Sequence, residues 1–220
     1  LIPLSALAGL LIYVGFNSFK PEDVRTVWQT GRISSAAMIL TFASTLVMRL
    51  QFAVFVGVAV SIMLYVVQSS GGLRAMRLVP VEDGFPIEEE LPERLPDNEI
   101  VIIQLYGELF FAAATTLEDY LPDPGDSQNT VVVLRLRGRD DIGSTLIGVL
   151  LRIHENLEKD GGHLILAGIS EPVYEQLRRT GALQTIGYDY IFHAEKQLGV
   201  STNKAIAAGR EFLEKKELQE

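Results

Sequence analysis

The 220 residues are 48% hydrophobic, with a mean hydropathy of +0.22 and a formal net charge of −9, an apolar balance high for a wholly soluble chain. Residues 1–78 carry Lys20, Arg25, Arg32, Arg49, Arg74 and Arg77 against Glu22 and Asp23, a net +4 that leaves −13 for the remainder. The C-terminal part therefore has no basic face for nucleic acid, and the lack of cysteine excludes disulfides, thiolate catalysis and thiolate metal sites.

The chain starts at Leu1 inside an apolar run, with no basic leader ahead of it, and reads as the C-terminal piece of a longer polypeptide. Residues 1–16, LIPLSALAGLLIYVGF, are uncharged, and Pro3 suits a first helical turn. Lys20 to Arg32 form a polar link with Trp28 placed for a membrane interface. Ile33 to Val67 then holds a single charge, Arg49. This stretch predicts two membrane helices, about 33–48 and 52–68, meeting in a hairpin at Met48-Arg49-Leu50-Gln51. Gly57, Ala36, Ala37, Ala43 and Ala59 give them small faces for packing, and Arg49 reads as a snorkelling residue at the tip. Lys20, Arg25 and Arg32 before the hairpin, and Arg74 and Arg77 after it, put both flanks in the cytoplasm by the positive-inside rule. Three apolar segments within 1–70 thus place Leu1 outside and residues 71–220 in the cytoplasm.

Residues 71–98, with Pro80, Pro86, Pro92 and Pro96, read as an acidic linker carrying one edge strand at Leu78 to Glu82. From 99 to 214 strands alternate with helices. The strands are Ile100 to Tyr106, Val131 to Leu136, His163 to Ala167 and Tyr190 to His193. A break at Gly107 is followed by Leu109-Phe110-Phe111 and a helix at about Ala112 to Leu121, closed by Pro122. Further helices run from Ser144 to Gly161-Gly162, from Glu171 to Arg179 and from about Ala194 to Glu214, with 215–220 a tail. This rhythm predicts an α/β layer, a sheet backed by helices. Phe110, Phe111 and Phe192 belong to its core.

The stretch that organises this lobe is TVVVLRLRGRDDIGSTLIGVLL, Thr130 to Leu151: a buried strand, a polar turn and the start of a helix. Asp, Ser and Thr in Asp140-Asp141-Ile142-Gly143-Ser144-Thr145 supply capping side chains, and the first helical amides lack intrahelical acceptors. Such an opening suits an anion, a phosphate or a protein partner. Elsewhere no catalytic, cofactor-binding or metal constellation emerges. His154, His163 and His193 show no ligand spacing, His154-Glu155 reads as a solvated helix face, and Asp140 and Asp141 are explained by capping.

The strand followed by Leu105-Tyr-Gly-Glu-Leu-Phe-Phe-Ala112, the polar turn and helix, and the Gly161-Gly162-led strand together resemble the STAS domain at the cytoplasmic end of sulfate permease (SulP) anion transporters. IPLSALAGLLIYVG is similar to that family's I-P-x-A-A-L-A-G-x-L-I-x-V-G segment, and LTFASTLVMRLQFAVFVGVAVS to its final paired membrane helices. The resemblance implies α-helical transmembrane segments followed by an α/β STAS domain, the C-terminal fragment of a secondary-active, sulfate-type anion transporter. It implies no enzyme and no cofactor, a multi-pass protein of the plasma or inner membrane, a homodimer, an inorganic anion as substrate of the full-length protein, and a cytoplasmic protein partner. The substrate would bind between half-helices upstream of Leu1. In anti-sigma-factor antagonists with this fold the helix opening reads D-S-S-G or D-S-T-G with the first Ser phosphorylated. Here Gly143 stands for the Asp and Leu146 for the Gly, so Ser144 is carried over as a regulatory phosphorylation or partner-contact site, with Thr145 its neighbour. The alternative is a membrane-tethered STAS module that binds a protein partner and uses the hairpin only as an anchor.

Overall fold

The computed structural model describes residues 3–70, 74–81, 86–107 and 127–218, and the chain divides into two units, Leu1–Val67 and Gln68–Glu220. The first unit contains α1 (Leu4–Ser18), α2 (Pro21–Thr30), α3 (Arg32–Val47) and all but the last three residues of α4 (Leu50–Ser70). The stretch expected as a polar link is largely α2: Pro21 sits at its first turn, and Glu22 and Asp23 favour the positive end of the helix dipole. Its ordering sense is inverted with respect to a water-soluble bundle. Small residues are inside, with Ser35, Ser44 and Ala53 buried, while Leu46, Phe55 and Met63 are each about 70% exposed. Gly57 brings α4 against α3 so closely that a Cβ there would lie 2.9 Å from Thr41 Cγ2. The hydroxyls of Ser35, Thr41 and Ser44 donate to the carbonyls of Gly31, Ala37 and Leu40 at 2.8–2.9 Å, so they need no water. Among the described residues, no helix is long and apolar enough to cross a membrane. The apolar run of α4, Phe52 to Val67, spans about 24 Å of helix against a hydrocarbon core of about 30 Å.

The second unit is a mixed six-stranded sheet in the order β2-β1-β3-β4-β5-β6. Its strands are β1 (Arg74–Val79), β2 (Ile87–Glu90), β3 (Ile100–Tyr106), β4 (Val131–Arg135), β5 (His163–Ile169) and β6 (Ile191–His193). β1 is antiparallel to β2 and β3, whereas β3 through β6 run parallel. Its α-helices among the described residues are α5 (Gly143–Lys159), α6 (Glu171–Arg179), α7 (Ala182–Ile186) and α8 (Val200–Glu217).

β4 shows why the sheet is buried on both faces. Val132 and Leu134 point into a cluster with Leu146, Leu150, Ile153 and Leu157 of α5, while Val131 and Val133 join Ala205 of α8 on the other side. α8 lies close because Gly209 faces Ile100 and Val131, where an added Cβ would meet Ile100 Cδ1 at 3.1 Å. Phe192 packs partly buried against this second cluster, in keeping with a core role.

Among the described residues of 71–98, the stretch read as a linker, there are two strands. The expected edge strand at Leu78 to Glu82 is replaced by β1, which begins earlier and lies inside the sheet, and by β2, a fully exposed edge. Hydrogen bonding to neighbours on both sides makes a strand of RAMRLV, whose two arginines disguise it. The last helix begins at Val200 rather than Ala194, because Gly199 turns the chain at φ +89° just before it. Leu109-Phe110-Phe111 and the helix expected at 112–121 lie outside the described residues.

Candidate functional site: the opening of α5

β4 delivers the chain to a turn at 136–142 that is pinned from several directions. Leu136 N donates to Ala167 O at 2.9 Å, Ser170 Oγ donates to Arg139 O at 2.6 Å, and Arg139 Nη2 donates to Gly107 O at 2.7 Å. Gln176 of α6 makes a double clasp: its Nε2 donates to Asp141 Oδ1 at 2.6 Å, and its Oε1 accepts from Ile142 N at 3.2 Å. Asp141 Oδ1 also accepts from Gly143 N at 3.0 Å. The Gln176 amide first, and the Gly143 amide second, hold the Asp141 carboxyl below its ordinary pKa.

The capping is thus narrower than the sequence suggests. Asp141 alone caps, from two residues ahead of the first helical residue, Gly143. Ser144 and Thr145 already lie inside α5, Ser144 exposed and Thr145 half-buried, and Asp140 is exposed. Ile142 and Leu146 are buried on either side, so Ser144 stands on a fixed platform at the carboxyl end of the sheet. Leu146 fills the core, which accounts for a large side chain at the position the antagonist motif gives to Gly. Arg137, packed over Gly168 in the same turn, has a buried Nη1 with no partner among the described residues.

Two further features escaped the sequence. A groove of about 470 Å³ is lined by Leu78, Ile102, Arg135, Leu198, Thr202 and Ile206, and burial lowers the pKa of the half-buried Arg135 guanidinium. The second feature concerns the histidines. His154 is 1% exposed, on the apolar stripe of α5 and not on a solvated face. It meets the ring of His163, the first residue of β5, edge-on at 5.0 Å, while its Nε2 lies 3.5 Å from Glu158 Oε1. Two histidines left apart by spacing are therefore adjacent, because the short α5–β5 turn folds one back on the other. Burial, then the neighbouring His154, pushes the His163 pKa down to about 4. His193 sits elsewhere, 3.8 Å from Glu171.

The STAS domain family model matches residues 93–198. The chain carries a STAS domain. Putative sulfate transporter YvdB of Bacillus subtilis is 22% identical over 87% of this chain and 34% of its own length. Probable sulfate transporter 4.2 of Arabidopsis thaliana is 21% identical over 87% of this chain and 30% of its own. Murine Solute Carrier 26 family member A9, an anion transporter solved in the inward-facing state, shares the fold with a TM-score of 0.63 at 18% identity, over 85% of this chain and 30% of that one. The chain thus spans about a third of the length of these relatives. This region is thus similar to that of proteins named as sulfate and anion transporters.

Proposed function

We propose that the chain is the C-terminal part of a secondary-active carrier of inorganic, sulfate-type anions. Segments 1–16, 33–48 and 52–68 form its last membrane helices, and 71–220 a cytoplasmic regulatory domain. The observation that carries this reading is the inverted first unit, with small polar residues inside and large apolar side chains outside, in one chain with a STAS domain. An apolar surface of that extent on a protein in water is a liability. Against lipid, or against further carrier helices, it is the expected exterior, and short spans are tolerated when they pack as closely as Gly57 packs on Thr41. The likeness to the murine anion transporter over 85% of the chain supports the same arrangement. Under this reading the anion-binding residues lie ahead of Leu1, and the STAS domain meets a protein partner at Ser144 and Thr145.

The test is transport by the complete reading frame reconstituted in liposomes. Sulfate uptake by the full-length protein, absent from residues 1–220 alone, is the expected result. A native start codon adjacent to Leu1 would overturn the carrier in favour of the tethered module. For the contact surface, Ser144→Glu places a carboxylate at the helix opening and is expected to change partner affinity at least about tenfold. Unchanged binding of the partners recovered with the wild-type chain removes Ser144 from that surface.

A further inference from the structure

The buried end of α5 carries chemistry that neither transport nor partner binding uses. His154 and Glu158 are four residues apart on one helical face, and Gly161 and Gly162 return the chain so tightly that His163 begins β5 beside them. Gly161 adopts φ +78°, and a Cβ on Gly162 would sit 2.2 Å from Thr130 O, so the return depends on both glycines. One ligand atom from each of His154, Glu158 and His163 falls within 4.8 Å of the others.

Three details separate this cluster from an ordinary packed histidine pair. His154, 1% exposed, leaves both ring nitrogens without a hydrogen-bond partner, an arrangement that buried polar groups avoid unless something completes them. His163 Nε2 lies 3.2 Å from Ile186 O. A proton on Nε2 donated to that carbonyl leaves Nδ1 as a lone-pair donor, the backbone-oriented pattern typical of metal-ligating imidazoles. Finally, the 3.5 Å between His154 Nε2 and Glu158 Oε1 is near the edge of a tetrahedral zinc site, about 3.3 Å for bonds of about 2.05 Å.

The geometry points to His154, Glu158 and His163 as a binding site for a divalent transition metal of the zinc type, clipping the last turns of α5 to the start of β5. Two imidazoles and a carboxylate suit Zn(II) better than Mg(II) or Ca(II), which prefer all-oxygen shells. Glu158, whose side chain is 57% exposed, closes the site from the solvent side and is free to draw in the remaining distance. Three protein ligands leave a fourth position for water.

The experiment uses the whole chain, purified in detergent without a polyhistidine tag and stripped with a chelator. Titration with ZnCl2 by calorimetry should give one equivalent per chain, and titration with Co(II) the visible bands of a four-coordinate ion. Glu158→Gln alters an exposed side chain and leaves the fold intact, so it serves where His154→Asn or His163→Asn fails to fold. It is expected to weaken Zn(II) by at least about tenfold and to change the Co(II) spectrum, whereas His193→Asn leaves both unchanged. A wild-type chain that takes up no stoichiometric Zn(II), or a Glu158→Gln chain with wild-type affinity and spectrum, overturns the site.

Discussion

Asp141 holds the entry to α5 with one carboxylate that serves two amides, and the consequence is measurable by pH. Its folded pKa lies below its unfolded value, so its stabilisation is present above the ordinary carboxylate range and is lost as pH falls through the depressed value. Asp141→Ala should lower the thermal midpoint at pH 7 by a few degrees, roughly a lost cap discounted for solvent exposure. The difference from wild type should narrow at about pH 3, below the unfolded carboxylate pKa of about 3.9. Thermal unfolding of both chains at the two pH values checks this, and a gap as wide in acid as at pH 7 rules the carboxylate out. The role of Asp141 was half legible: a capping Asp ahead of a helix was readable, but its second partner, Gln176, is 35 residues away and no local pattern names it. His154 was legible and misread. It falls four residues after Leu150 and three before Leu157, on the stripe that faces the sheet, and adjacency to Glu155 says nothing about the face it occupies.

Strands and helices separate by how much of their own stabilisation they carry. β4 and β5 were readable because four of the five residues of β4 and all seven of β5 are buried, so an unbroken apolar run specifies them. β1 was not, since its order comes from pairing with β2 and β3 and its sequence contains Arg74 and Arg77. α2 offered Pro21 and two acids at its start, a signal sufficient to predict it. Within the core, Leu150→Ala, fully buried under α5, should cost about 2–5 kcal/mol in chemical unfolding. The α5–β5 return gives a sharper comparison. Gly161→Ala meets side-chain ends, those of Asn129 and Lys216, and adds the roughly 1–2 kcal/mol of a left-handed backbone. Gly162→Ala meets the Thr130 carbonyl, which accepts the His163 amide at 3.1 Å and joins β4 to β5. Denaturant titration should therefore rank Gly162→Ala well below Gly161→Ala, and equal midpoints would disprove the close approach.

For the molecule as a whole, the position of β1 decides where the STAS lobe begins. Ending the N-terminal deletion at residue 79 removes a strand flanked on both sides and bares the edge of β3, whereas starting at Gln68 keeps the sheet complete. Residues 68–220 should be soluble and monodisperse in size-exclusion chromatography, and 79–220 should aggregate; a well-behaved 79–220 would show that β1 is dispensable. The two outer borders of the sheet are unlike that exposed interior strand. One is β6, three residues long, and the other is β2, where Glu88, Glu89 and Glu90 stand side by side in water. A fringe of adjacent carboxylates repels its own mirror image, and a three-residue border is too brief to template a neighbour. Two copies brought together at neutral pH are thereby denied the simplest union, one sheet running on into the next.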